Sequence, residues 1–230
     1  MKLLSLLFLF LCSLASFAQT SQELMLKANL LHEQGDYPGA INTLNQAIQL
    51  DPVNKHAYIF RGDSKVESGD IQGAIEDYDK ALEIDYRFAI AYYYRANAKM
   101  KIQDFEGAVS DFNELVKIAP QFAMAYNNRG LAKAELKDYK GAISDFNKAV
   151  EIDSRFVMAY VNRGKTRVDV YDLQGAVMDL NHAIVIDPTN SEAYYYRGLS
   201  KILLELGRVE TQFLIREFCK ENAPPPRRRR

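Results

Sequence analysis

The chain has 230 residues, with 29 Lys and Arg against 30 Asp and Glu and a formal charge of −1, which removes any general argument for nucleic acid as its partner. Apolar residues make up 48% and charged residues 26%, the balance of an ordinary soluble protein and not of a disordered one.

The first segment, residues 1–20, places Lys2 before an almost unbroken apolar run from Leu3 to Leu14, then Ser16-Phe17-Ala18. Small residues at those two places are what a signal peptidase reads, so residues 1–18 are expected to be a signal peptide cleaved after Ala18. The stretch from Leu3 to Ala18 falls short of the ~20 residues a membrane-crossing helix needs. Export to the periplasm or the extracellular space is the corresponding expectation. Cleavage would remove Cys12 and leave Cys219, so the mature chain could form no internal disulfide. It would also remove one Lys and no acid, taking the formal charge to −2; the four terminal arginines contribute +4, so the remainder carries −6.

From Ser21 the chain repeats itself. Tyr58, Tyr92, Tyr126, Tyr160 and Tyr194 stand 34 residues apart, as do Arg61, Arg95, Arg129, Arg163 and Arg197. Cutting at that period gives residues 21–54, 55–88, 89–122, 123–156 and 157–190, with a partial copy over 191–205. Each copy carries two helical patterns. In the fourth, Ala125, Tyr126, Arg129, Gly130 and Lys133 share a face by three- and four-residue spacing, Lys137-Asp138-Tyr139 breaks the pattern, and a second helix buries Ala142, Phe146 and Ala149. The breaks recur at Asp36, Asp70, Asp104 and Asp172, where a carboxylate can cap the second helix. Pro52, Pro120 and Pro188 mark ends of second helices.

With this period the chain resembles the tetratricopeptide repeat family, whose repeat length and Trp, Leu-Gly, Tyr, Ala-x3-Phe and Pro pattern are known features. The Tyr ladder stands at the family's Trp place, Gly62, Gly130, Gly164 and Gly198 at its Gly, and Ala74/Tyr78, Ala108/Phe112 and Ala142/Phe146 form its Ala-x3-aromatic element. The resemblance implies an all-α fold, a right-handed superhelical solenoid of helix-turn-helix repeats with first helices on the concave face. It also implies a non-enzymatic protein-interaction scaffold.

Two departures are cationic. The Arg ladder replaces the family's Leu, and Lys65, Lys99, Lys133, Arg167 and Lys201 replace its Tyr. An acid ladder, Asp77, Asp111, Asp145 and Asp179, follows each Arg of its repeat by 16 residues. Structural ion pairs between Arg61, Arg95, Arg129 or Arg163 and these acids are one reading, and a track for an acidic ligand is the other.

The contact surface is expected on the remaining face of the first helices. Tyr93, Tyr94 and Asn97 lie there, then Met124, Asn127 and Asn128, then Met158 and Asn162, and finally Tyr195 and Tyr196. Tyr gives area with a polar tip, Met adapts, and Asn can donate to and accept from a peptide backbone. Asn128 and Asn162, one repeat apart, are similar to the asparagine ladders with which some family members hold extended peptides; packing between repeats is the competing reading. The carboxylate clamp of other members is not carried over, because its basic places hold Tyr93, Met158 and Asn162.

Past Glu205 the period fails, and Val209, Phe213 and Phe218 suggest a separate capping helix over 206–221. Residues 222–230 form a Pro/Arg tail, expected to be disordered, whose Arg227 to Arg230 could touch an anionic surface. His32, His56 and His182 fall in different repeats without metal-ligand spacing, and no phosphate loop or nucleophile motif occurs. No enzymatic activity, metal or cofactor is expected, and the partner is a protein or peptide segment.

Overall fold

The computed structural model describes residues 21–221, with side chains described for 21–210; the signal segment, Cys12, Cys219, the side chains of Phe213 and Phe218, and the Arg tail lie outside those residues. Among the described residues eleven helices follow one another: α1 (21–33), α2 (Tyr37–Leu50), α3 (Lys55–Glu67), α4 (Ile71–Ile84), α5 (Ala89–Lys101), α6 (Phe105–Ile118), α7 (Ala123–Glu135), α8 (Tyr139–Ile152), α9 (Val157–Asp169), α10 (Leu173–Ile186) and α11 (Ser191–Glu221). They form two compact units, α1–α7 up to Leu136 and α8–α11 from Lys137.

One local device makes every break between a first and a second helix. The residue before the cap takes a left-handed backbone, φ +79° at Gly35, +91° at Gly69, and about +60° at Gln103, Lys137 and Tyr171. The next residue, Asp36, Asp70, Asp104, Asp138 or Asp172, accepts a hydrogen bond from the N–H of a glycine three residues on, at 2.9–3.1 Å. That satisfies one of the donors a helix start leaves over. The glycine leaves room for that carboxylate: a Cβ on Gly107 would lie 2.1 Å from Asp104 Oδ2 and displace it.

The same device explains where the last helix departs from expectation. No boundary falls between residues 205 and 206; α11 runs unbroken from Ser191 to Glu221. One period after Tyr171, Asp172 and Gly175 stand Glu205, Leu206 and Val209. With neither cap nor glycine, nothing stops the helix, and Ile202, Leu206 and Val209 remain exposed along it.

In the first unit each helix packs on the next, and the first helices α3, α5 and α7 also touch one another in succession. Small residues allow this closeness: Ala57, Ala74, Ala81, Ala91 and Ala108 are fully buried. A large residue of each second helix fills the space facing its first helix. Tyr78 closes on Gly62, where a Cβ would sit 2.5 Å from the ring, and Phe112 packs with Ala96. In the second unit Leu180 closes on Gly164 in the same way, with Val161, Ala176, Ala183 and Ala193 around it. Burying one such side chain stabilises by roughly 1.5–3 kcal/mol.

Candidate protein-binding surface

Three arginines of the cationic ladder, Arg61, Arg95 and Arg163, are paired inside the fold. Arg61 donates from Nε and Nη2 to both oxygens of the buried Asp77 at 2.9 and 2.5 Å, and Arg95 and Arg163 hold Asp111 and Asp179 by the same two-pronged contact. A second cation reaches each acid: Lys65 to Asp77 at 2.9 Å, Lys99 to Asp111 at 2.8 Å and Arg167 to Asp179 at 2.8 Å. The third guanidinium nitrogen turns the other way. It reaches Asn45, Asp79, Asn113, Asn147 and Asn181 from Arg61, Arg95, Arg129, Arg163 and Arg197 respectively. Each arginine thus staples the second helix of the preceding repeat. These partners also recur every 34 residues, a signal present in the sequence and overlooked beside the Asp ladder.

The Tyr ladder supports the arginines. Each guanidinium lies 4.9–5.5 Å from the ring centre of Tyr58, Tyr92, Tyr126, Tyr160 or Tyr194, an attraction worth about 0.5–1 kcal/mol at partly exposed sites. Burial alone would lower the Arg95 pKa, but hydrogen bonds and charge from Asp111 and Asp79 outweigh it and raise it above the ordinary value. Arg61, Arg95 and Arg163 therefore belong to structure, with little charge left for a ligand.

The remaining face of the first helices is aromatic and amide-rich. In the first unit Tyr93 lies between Tyr94 and Phe122, with ring centres at 5.8 and 5.4 Å, and its hydroxyl contacts Met124 Sδ at 2.9 Å. Asn97 donates to the Tyr93 carbonyl at 2.7 Å and accepts from Asn128 at 3.0 Å, joining α5 to α7. Met124 is 42% exposed. An apolar cleft of about 330 Å³ lies beside them, walled by Ile90, Tyr93, Tyr94, Leu115 and Phe122.

Asn127 does not belong to this face. It is 0% exposed, donating to Asn128 from inside the unit. Its place in the period is shared by the buried Ile59 and Val161 and also by the half-buried Tyr93 and the exposed Tyr195, so the period alone does not set its burial. In the second unit Met158 is 59% and Tyr195 65% exposed, and Tyr195 meets Tyr196 edge-on at 5.1 Å. Lys165 pairs with Glu192 at 2.7 Å and covers the Tyr196 ring at 5.2 Å, while the Asn162 carbonyl accepts from Thr166. Tyr94 and Tyr196 each also pack against their unit's core.

Comparison with known families agrees with this geometry. A family model described as TPR repeat matches residues 28–59 and 62–103, and two described as tetratricopeptide repeat match 90–121 and 123–156, together more than half of the chain. The chain belongs to the tetratricopeptide repeat family. Among solved tetratricopeptide structures, one from Parabacteroides merdae is 22% identical, with a TM-score of 0.72 over 90% of this chain and 81% of its own. MamA is 23% identical, with a TM-score of 0.67 over 72% of this chain and 96% of its own. YrrB, a tetratricopeptide protein with an unusual peptide-binding site, is 22% identical, with a TM-score of 0.67 over 79% of this chain and 97% of its own. These likenesses establish the all-α tetratricopeptide solenoid class. No curated protein matches the sequence.

One group of polar residues near the start of the tetratricopeptide array went unread in the sequence. His32 of α1 bonds Ser64 Oγ at 3.0 Å and approaches Asp63 Oδ2 at 3.7 Å. The trio has the composition of a nucleophile, base and acid, but Ser64 is buried and its hydroxyl also donates to the Phe60 carbonyl at 3.0 Å. That commitment makes it a bridge between α1 and α3. Among the described residues no group of His, Cys, Asp and Glu could hold a metal, and no helix is long and apolar enough to cross a membrane.

Proposed function

We propose that this protein is a non-enzymatic, exported scaffold that holds an extended protein segment against the face of its first helices. One observation carries the reading: the ladder cations of the first unit are tied up internally, whereas Tyr93, Met124 and the apolar cleft beside Phe122 remain open to a partner. Tyrosine rings and a thioether supply contact area at small entropic cost, and the Asn97–Asn128 pair keeps hydrogen-bonding capacity for a backbone. The peptide-binding site of YrrB, a protein similar in fold, supports the same use of the fold here.

Export rests on the apolar run and small-residue site before Gln19. N-terminal sequencing of secreted or periplasmic material should begin at Gln19. Affinity capture from envelope and secreted fractions tests the scaffold reading, using the mature chain beside Tyr93→Ala/Met124→Ala. A protein retained by the first and lost by the second supports it; equal retention refutes the assignment of this face.

A second reading comes from Arg227 to Arg230, which would bind an anionic surface while the repeats act as a spacer. Deleting those four residues leaves a scaffold's partner bound and releases an anchor's.

A further inference from the structure

Where the second repeat meets the third, two departures from the 34-residue pattern and a tyrosine of the third repeat come together. Asp63 stands where the other copies have Asn29, Asn97, Leu131, Lys165 and Leu199. Tyr78 stands where they have Leu44, Phe112, Phe146 and Leu180, and is the one copy of that inward position to carry a hydroxyl. Tyr94, one period after Phe60, takes the place held by Asn128 and Asn162 in the next two copies. The Tyr78 and Tyr94 rings stack at 5.8 Å, and with Asp63, Glu67, Tyr93 and Asn97 they line a cavity of about 170 Å³.

Two features of this cavity are not explained by packing. Tyr78 is 0% exposed and its hydroxyl has no hydrogen-bond partner among the described residues, although Phe fills the same space in the next two repeats and buried polar groups are ordinarily paired. Asp63 is also poorly matched. Asp77, Asp111 and Asp179 each hold two cations within 3 Å, whereas the ion-pair contact of Asp63 is with His32, a cation only when protonated, at 3.7 Å, outside hydrogen-bond range.

We propose that this cavity takes the cationic side chain, a lysine ammonium or arginine guanidinium, of the segment bound along the first helices. The proposal rests on the scaffold reading and adds to it the chemistry of one anchoring residue. Asp63 supplies the countercharge, Tyr93 and Tyr94 supply ring faces that attract a cation, and the Tyr78 hydroxyl oxygen can accept from the entering N–H. Glu67 and Lys101, of opposite charge, are exposed residues of its lining. The volume lies below the ~300 Å³ of whole-ligand pockets, so it suits one side chain. The apolar cleft next to it shares Tyr93 and Tyr94 as a common wall, so a segment could seat an apolar residue and a basic one in neighbouring sites.

The test is an NMR titration of the full chain, with labelled tyrosine rings, using Nα-acetyl-lysine-N-methylamide and its neutral norleucine counterpart at millimolar concentrations. Saturable shifts of the Tyr78 and Tyr94 rings are expected with the lysine probe alone. Asp63→Asn should weaken its binding by roughly tenfold or more, the value of a hydrogen bond to a charged group. Tyr78→Phe, which restores the residue of the neighbouring repeats and keeps the fold, should weaken it by a smaller factor. Equal shifts with norleucine, unchanged binding by Asp63→Asn, or no shift with the lysine probe would each overturn the proposal. If cross-linking at Met124 still captures a partner, the scaffold reading survives that failure; if it does not, both fall.

Discussion

Arg95 holds Asp111 through two nitrogens at 2.9 and 2.5 Å and, with its third, reaches Asp79 on the second helix of the preceding repeat. One side chain thereby ties its own repeat to the one before it. Because Asp111 is buried and also binds Lys99 at 2.8 Å, removing it takes the carboxylate from Lys99 and leaves Arg95 with Asp79 alone.

Asp111→Ala is therefore expected to destabilise by roughly 3–5 kcal/mol, the cost of breaking a buried pair. Asp79, nearly half exposed, should cost only ~0–1 kcal/mol when changed to Ala. Urea unfolding of the two variants checks the difference. Equal midpoints would mean that Asp111 is not an anchor.

The cap device makes paired predictions. Gly107→Ala should cost about as much as Asp104→Ala, about 0.5–2 kcal/mol, because the added methyl displaces the carboxylate that does the capping. In the opposite direction, Tyr171→Gly relieves a left-handed tyrosine at φ +59° whose side chain is exposed, and should stabilise by about 1 kcal/mol. Thermal unfolding of the single variants measures both signs.

Much of this was legible because the period has no insertions. A strict 34-residue spacing fixes which side chains stack on which, so the Tyr, Arg and Asp ladders place themselves. Asn127 could not be read that way: its place in the period holds the buried Ile59 and Val161 but also the half-buried Tyr93 and the exposed Tyr195, so register alone does not fix its burial. The continuity of α11 across residues 205 and 206 has a different reason. Fading of the pattern after Glu205 suggested a boundary, but a boundary needs a cap and a left-handed residue, and Leu206 and Glu205 provide neither. Asp63 and Tyr78 were visible only as departures from their own repeat, and nothing but the fold shows that they meet.

That account of α11 can be tested by restoring the missing device. Glu205→Gly with Leu206→Asp and Val209→Gly should divide the helix near residue 206. Amide hydrogen exchange is expected to rise sharply at residues 205–208 while protection of 193–200 stays unchanged. Uniform protection through the junction would contradict the local explanation.

Asp63 should leave a signature in the pH dependence of stability. Burial is the main reason that its pKa is raised above the ordinary 3.8, with Glu67 adding to the effect and His32 and Lys101 opposing it. An acid whose folded pKa is raised destabilises the fold when ionised. The penalty is full above the folded pKa and disappears as pH falls through it to the unfolded value. Asp63→Asn should thus raise the melting temperature at neutral pH, with the gain vanishing under acid conditions. A loss of stability at neutral pH would show that the carboxylate is satisfied in the free protein.

The most direct test of the scaffold reading is site-specific photocross-linking in the producing cell, with a benzophenone amino acid replacing Met124 on the first-helix face or, separately, Val185, 78% exposed on the second helix α10. A discrete protein adduct from position 124 and none from position 185 is the predicted result. Adducts from 185 alone, equal adducts from both, or none from 124 would contradict it.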